Sequence, residues 1–154
     1  MLDWTSLEES CLSCRGCGLC ETRHHVVFGV GKRDADILFV GEGPGEQEDL
    51  LGEPFVGPAG KLLDDMLSII DIDRTNCYIA NIVKCRPPHN RDPQEAEQDA
   101  CIGFLRNQVT LIKPKSMSAT KPVLLIKHTH TSLYQYSFKF IFLVKVMSAA
   151  YFIA

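Results

Sequence analysis

Residues 34–46 read DADILFVGEGPGE. Ile37–Val40 has the length and apolar character of a short buried strand, and the glycine-rich turn that follows stops it. Working outward, GEPFVGPAG (52–60) is a loop with two prolines and three glycines. From Ala59 the pattern turns helical, with Ala59, Leu62, Leu63, Met66, Leu67 and Ile70 on one face. CYIANIV (77–83) is a second β-rich run, and KCRPPHNRDP is a loop broken by Pro87 and Pro88. Asp92 as N-cap, Pro93 at N1 and Glu95 at N3 predict a helix over Pro93–Ile112. Strands alternating with helices predict an α/β domain with a parallel sheet. Such sheets bind ligands at the C-terminal ends of their strands, where GEGPGE and NIVKCRPP both fall.

The 154-residue chain has 45% apolar and 23% charged residues, ordinary values for a globular domain. A net charge of −3 gives no basic signature of nucleic-acid binding. The average hides a discontinuity. All nineteen acidic residues and all eleven glycines lie in residues 1–116, while 117–154 contains neither and adds four lysines. The last residues, Phe138–Ala154, are apolar but interrupted by Lys139 and Lys145, and a membrane span needs about 20 apolar residues; no membrane association is expected.

CLSCRGCGLC (11–20) puts four of the seven cysteines at every third position. MLDWTSLEESC has no basic stretch followed by an apolar run, so the expectation is a cytoplasmic chain without a signal peptide, where disulfides are rare. A metal site is then the natural use of clustered thiols. Three readings stand side by side. A local site would use Cys11, Cys14, Cys17 and Cys20, in partial likeness to ferredoxin spacing. Structural zinc also accepts four thiolates. A split site would join one C-x2-C pair to Cys85 and Cys101. Cys77, at the start of a strand, reads as a small buried hydrophobe.

GEGPGEQEDLLGEPFVGPAGKLLDDML (41–67) and YIANIVKCRPPHNRDPQEAEQDAC (78–101) resemble the family 4, iron–sulfur-containing uracil-DNA glycosylases of base-excision repair. The resemblance covers about residues 14–115. It implies a three-layer α/β/α sandwich with a central parallel sheet, and a [4Fe–4S] cluster on Cys14, Cys17, Cys85 and Cys101, leaving Cys11, Cys20 and Cys77 over. It implies a monomer that acts on uracil-containing DNA. Glu42 and Glu48 are the acidic candidates for water positioning or support of a cationic sugar. Gly41, Gly43, Gln47, Phe55 and Asn81 are the candidates for binding the base. A glycine-rich loop lets backbone approach a planar ring, Phe55 offers a stacking face, and the Asn81 amide matches the O4 and N3–H edge of uracil. Taken alone, Phe55 would fit core packing and Asn81 a strand-end cap. Lys84, Arg86 and Arg91 form a locally basic loop suited to DNA phosphates.

After LIKPK the family continues through a strand to a distal HPS-like motif whose histidine reaches uracil O2. His128 and His130 occur here in KHTHT, without the proline and serine. The expected organisation is therefore a cysteine-rich segment (1–25), a partial glycosylase domain (26–115) and a foreign or frameshifted tail (116–154). That loss argues against robust activity. The alternative is a non-catalytic iron–sulfur or zinc remnant that binds nucleic acid.

Overall fold

The computed structural model describes residues 3–119. Four helices surround a four-stranded sheet: α1 (Trp4–Leu12), β1 (Val30–Gly31), β2 (Ile37–Gly41), α2 (Glu46–Leu51), α3 (Pro58–Ile69), β3 (Tyr78–Asn81), α4 (Glu95–Ile112) and β4 (Ser116–Ala119). The sheet order is β1-β3-β2-β4. β3 and β4 both run parallel to β2. β1 pairs antiparallel with β3, so an antiparallel edge strand is added to the expected parallel core of β3, β2 and β4.

Side-chain alternation builds the three layers. Leu38, Val40, Tyr78 and Ala80 pack with Leu105, Val109 and Ile112 of α4. Phe39 and Ile79 point the other way, onto Leu63 and Leu67 of α3. Of the predicted α3 stripe only the part over the sheet is covered; Leu62 and Ile70 remain exposed.

Two starts differ from the sequence reading. α1 forms inside the cysteine-rich segment, capped by Asp3, whose carboxylate accepts from the Ser6 N–H at 3.0 Å and the Ser6 hydroxyl at 2.6 Å. Trp4 then meets Phe28 and Tyr78 edge-on. α4 starts at Glu95 with Gln94 as its N-cap, two residues beyond the predicted first residue Pro93. The reason is that Glu97, not Glu95, reaches back: its carboxylate accepts from the Gln94 N–H at 2.8 Å and is gripped by Arg91 at 2.9 and 2.7 Å.

β4 lies in register with Ile37–Val40 and extends the sheet four residues past Lys115. The remainder of the compositionally distinct tail, with His128, His130 and Phe138–Ala154, lies outside the described residues. Among the described residues no helix is long and apolar enough to cross a membrane.

Candidate active site and thiol cavity

β2 and β3 end side by side, with Gly41 in register with Asn81. A Cβ on Gly41 would stand 2.2 Å from Asn81 Oδ1 and 2.7 Å from the Phe55 ring. The bare Gly41 backbone is what allows amide and ring to meet. Asn81 is buried, and its Oδ1 has no hydrogen-bond partner among the described residues. A buried acceptor left unpaired costs about 1–3 kcal/mol. It stands beside the aromatic face of Phe55 and calls for an explanation.

Phe55 is half-buried and holds φ +55°, a left-handed conformation that aromatic residues rarely take. Arg74 explains how it stays there. Its guanidinium donates to Pro54 O at 3.0 Å, to Phe55 O and, more weakly, to Gly60 O at 3.5 Å, while Nε is anchored on Asp64 at 2.7 Å. Gly60 is needed beneath: a Cβ there would fall 1.7 Å from Phe55 O. No local pattern marks Arg74, because its partners are loop carbonyls distant in sequence.

Glu48 is a brace. Its carboxylate accepts backbone N–H groups from Gly45 at 3.0 Å, Val56 at 2.9 Å and Gly57 at 2.8 Å, tying the glycine-rich turn to the Phe55 loop. Glu42 is half-buried at the β2 end, and its carbonyl accepts from the Val83 N–H at 3.0 Å. Gly43 lies against Val83, and Gln47 is exposed on α2.

The basic loop does not present all three expected cations. Lys84 is buried, with its ammonium donating to Gln108 Oε1 at 2.7 Å and Phe28 O at 3.1 Å, so it cannot reach a phosphate. Burial pushes its pKa down to about 8. Arg86 stands near Glu46 at 3.8 Å and donates to Asn90 at 2.7 Å. Arg91 is exposed and paired with Glu97.

Cys14, Cys17, Cys85 and Cys101 line one cavity, together with Cys11, Cys20, Arg23, Lys84 and Phe104. N–H groups aim at three of the sulfurs. Gly16 N–H donates to Cys14 at 3.3 Å, Arg23 Nη1 to Cys85 at 3.1 Å and Lys84 N–H to Cys101 at 3.2 Å. These donors suit thiolates; in the free thiols, burial raises the pKa of Cys85 and pushes Cys101 up to about 11. The donor set thus fits a thiolate-bound centre. Among the described residues no three Cys, His, Asp or Glu gather on a point suited to one metal ion. Cys77 stands apart, buried with Phe39, Leu63 and Leu67.

Residues 28–143 match the sequence pattern of the uracil DNA glycosylase superfamily. The chain belongs to that superfamily. It is similar to the Type-4 uracil-DNA glycosylase of Archaeoglobus fulgidus, 52% identical over 103 residues, which cover 67% of this chain and 52% of the relative. The Type-4 uracil-DNA glycosylase of Sulfurisphaera tokodaii is 49% identical over 110 residues, 71% of this chain and 50% of the relative. That of Thermotoga maritima is 50% identical over 108 residues, 70% of this chain and 56% of the relative. The chain spans about half the length of these curated relatives. As a member of this superfamily, it has the α/β layering described above.

Proposed function

We infer that the chain carries the base-reading half of a uracil-DNA glycosylase, an enzyme that hydrolyses the N-glycosidic bond of a flipped-out deoxyuridine. The observation that carries this reading is the unpaired Asn81 Oδ1 beside Gly41 and under the reach of Phe55. Uracil N3–H would donate to Oδ1, uracil O4 would accept from the Asn81 amide, and the ring would stack on Phe55. Cytosine lacks a proton at N3 and carries an amine where uracil has O4, so the same amide rejects it.

The reaction needs one bond broken and one formed. The C1′–N1 bonding pair leaves with uracil as an anion, the sugar becomes cationic, and water adds its hydroxyl to C1′. Glu42, half-buried at the strand end, would take the water proton and face the cationic sugar. Glu48 positions rather than reacts, because its oxygens are committed to three backbone donors. Gly43 and Gln47 border the same turn, while Arg86 and Arg91 remain for phosphate contacts. Cys14, Cys17, Cys85 and Cys101 would hold a [4Fe–4S] cluster that ties the N-terminal segment to the domain. DNA containing uracil is the partner.

A non-catalytic nucleic-acid-binding remnant is the second reading, in which the cavity lined by Cys14, Cys17, Cys85 and Cys101 holds a structural metal centre. A single-turnover assay on a uracil-containing oligonucleotide separates the two. Release of uracil that Asn81→Ala abolishes supports the enzyme. Selective binding of the uracil strand without release supports the remnant. Neither release nor selective binding rejects both.

A further inference from the structure

A buried ammonium normally has a carboxylate beside it, because neutral acceptors do not offset its lost hydration. Lys84 is 1% exposed, and among the described residues its ammonium donates to two neutral oxygens, Gln108 Oε1 and Phe28 O, and stands over the Phe28 ring. Gln108 is also fully buried and is fixed in that orientation by donating its amide to Phe28 O at 2.9 Å and to the Tyr78 hydroxyl at 3.3 Å. Among the described residues no carboxylate makes an ion pair with Lys84. Among the described residues the charge therefore has no carboxylate to offset it.

Where the residue sits in the fold supplies the missing partner. Lys84 is one of the residues that line the cavity walled by Cys14, Cys17, Cys85 and Cys101. Its own N–H donates to Cys101, and Cys85 is its neighbour in sequence. We propose that Lys84 is the buried counter-ion of the thiolate-bound metal centre in this cavity. Four thiolates leave a [4Fe–4S]2+ cluster as a dianion. The inference thus rests on the proposed binding of a metal centre by these cysteines. A dianion in a low-dielectric cavity gains from a fixed cation nearby, and the cation gains equally.

The rival account makes Lys84 a neutral-site peg joining Phe28 to Gln108. The two differ in sign. A counter-ion stabilises the loaded protein and strains the stripped one; a peg stabilises both alike. The full chain, Lys84→Met and Gln108→Glu are loaded with iron and sulfide under anaerobic conditions, or with zinc. Metal content, the rate of metal loss to a chelator, and Tm with and without metal are then measured.

Lys84→Met is expected to lose metal roughly tenfold faster or more, the scale of removing one partner of a buried charge pair. Its loaded Tm falls, while its stripped Tm equals or exceeds that of the parent. Gln108→Glu gives Lys84 an internal partner, so it too speeds metal loss, and it narrows the gap between loaded and stripped Tm. Unchanged retention in both variants, with loaded and stripped Tm lowered equally, overturns the counter-ion role and leaves the metal site standing. Failure of the parent chain to hold either metal rejects the metal site itself, and the counter-ion with it. Should Lys84→Met not fold, Gln108→Glu alone decides by the same comparison.

Discussion

The buried carboxylate of Asp49 takes the backbone N–H of His24 at 2.9 Å on one oxygen and the His24 Nδ1–H at 2.7 Å on the other. The first oxygen also accepts from the His25 N–H at 3.3 Å. This joins the cysteine-bearing segment to α2, the helix that carries Glu48. Asp49→Ala leaves two backbone donors without their acceptor, at about 1–3 kcal/mol for each that stays buried. A clear fall in Tm is expected. His24→Ala removes only a mostly exposed partner and is expected to cost at most about 1 kcal/mol. Equal losses in the two variants would show that the backbone contacts carry nothing.

Glu48→Gln tests the brace. The amide oxygen can still accept from Val56 and Gly57, but the NH2 group would then face the Gly45 N–H, donor against donor. A loss of about 1–3 kcal/mol is expected. Faster amide exchange at Gly45 than at Val56 and Gly57, followed by NMR, is the specific mark of this geometry.

Arg74→Lys removes a planar fork that holds two adjacent loop carbonyls at once, and a point ammonium cannot replace it. Phe55 would then relax from its left-handed conformation. Weaker binding of free uracil, with only a modest change in Tm, is expected from an NMR titration. Unchanged binding would mean that Gly60 and Glu48 hold the loop without Arg74.

Asn81→Leu exchanges a buried amide, whose oxygen has no partner among the described residues, for an apolar group of similar size. Stability is expected to hold or rise, by up to about 1–3 kcal/mol, while uracil recognition disappears. Thermal melts and uracil titration of the same samples check both halves. A stability loss as large as that of an ordinary core truncation would show that Asn81 is structural.

Arg91 depresses the pKa of Glu97 below its ordinary value of 4.5. Ionised Glu97 therefore favours the fold. That contribution is fully present above the ordinary value and is lost as pH falls through the lower, folded value. Arg91→Gln is expected to flatten the stability profile between about pH 5 and the acid limit, with little change at pH 7 beyond the lost ion pair. Urea melts across that range provide the measurement.

β2 and β3 were legible because Ile37–Val40 and Tyr78–Asn81 are buried on both faces and read as continuous apolar runs. β1 was not, since two residues carry no period and owe their pairing to Tyr78 and Ile79. Asp3, with Trp4, Leu7 and Cys11 at helical spacing, could have revealed α1; the density of cysteines masked it. Lys84 misled for a physical reason. A lysine in a basic, proline-bounded loop looks solvated, and only the packing of Phe28 and Gln108 around it shows otherwise. Arg74 and Asp49 act on carbonyls and N–H groups far along the chain, contacts that leave no trace in spacing.

Every residue proposed to read the base, from Gly41 through Phe55 to Asn81, lies in the chain between Cys17 and Cys85. A metal centre joining those two sulfurs would make the intervening segment a closed ring, with fewer unfolded forms than an open chain. The tie is topological. A backbone cut anywhere within the ring leaves two fragments still linked through their thiolates, and they separate when the metal is withdrawn.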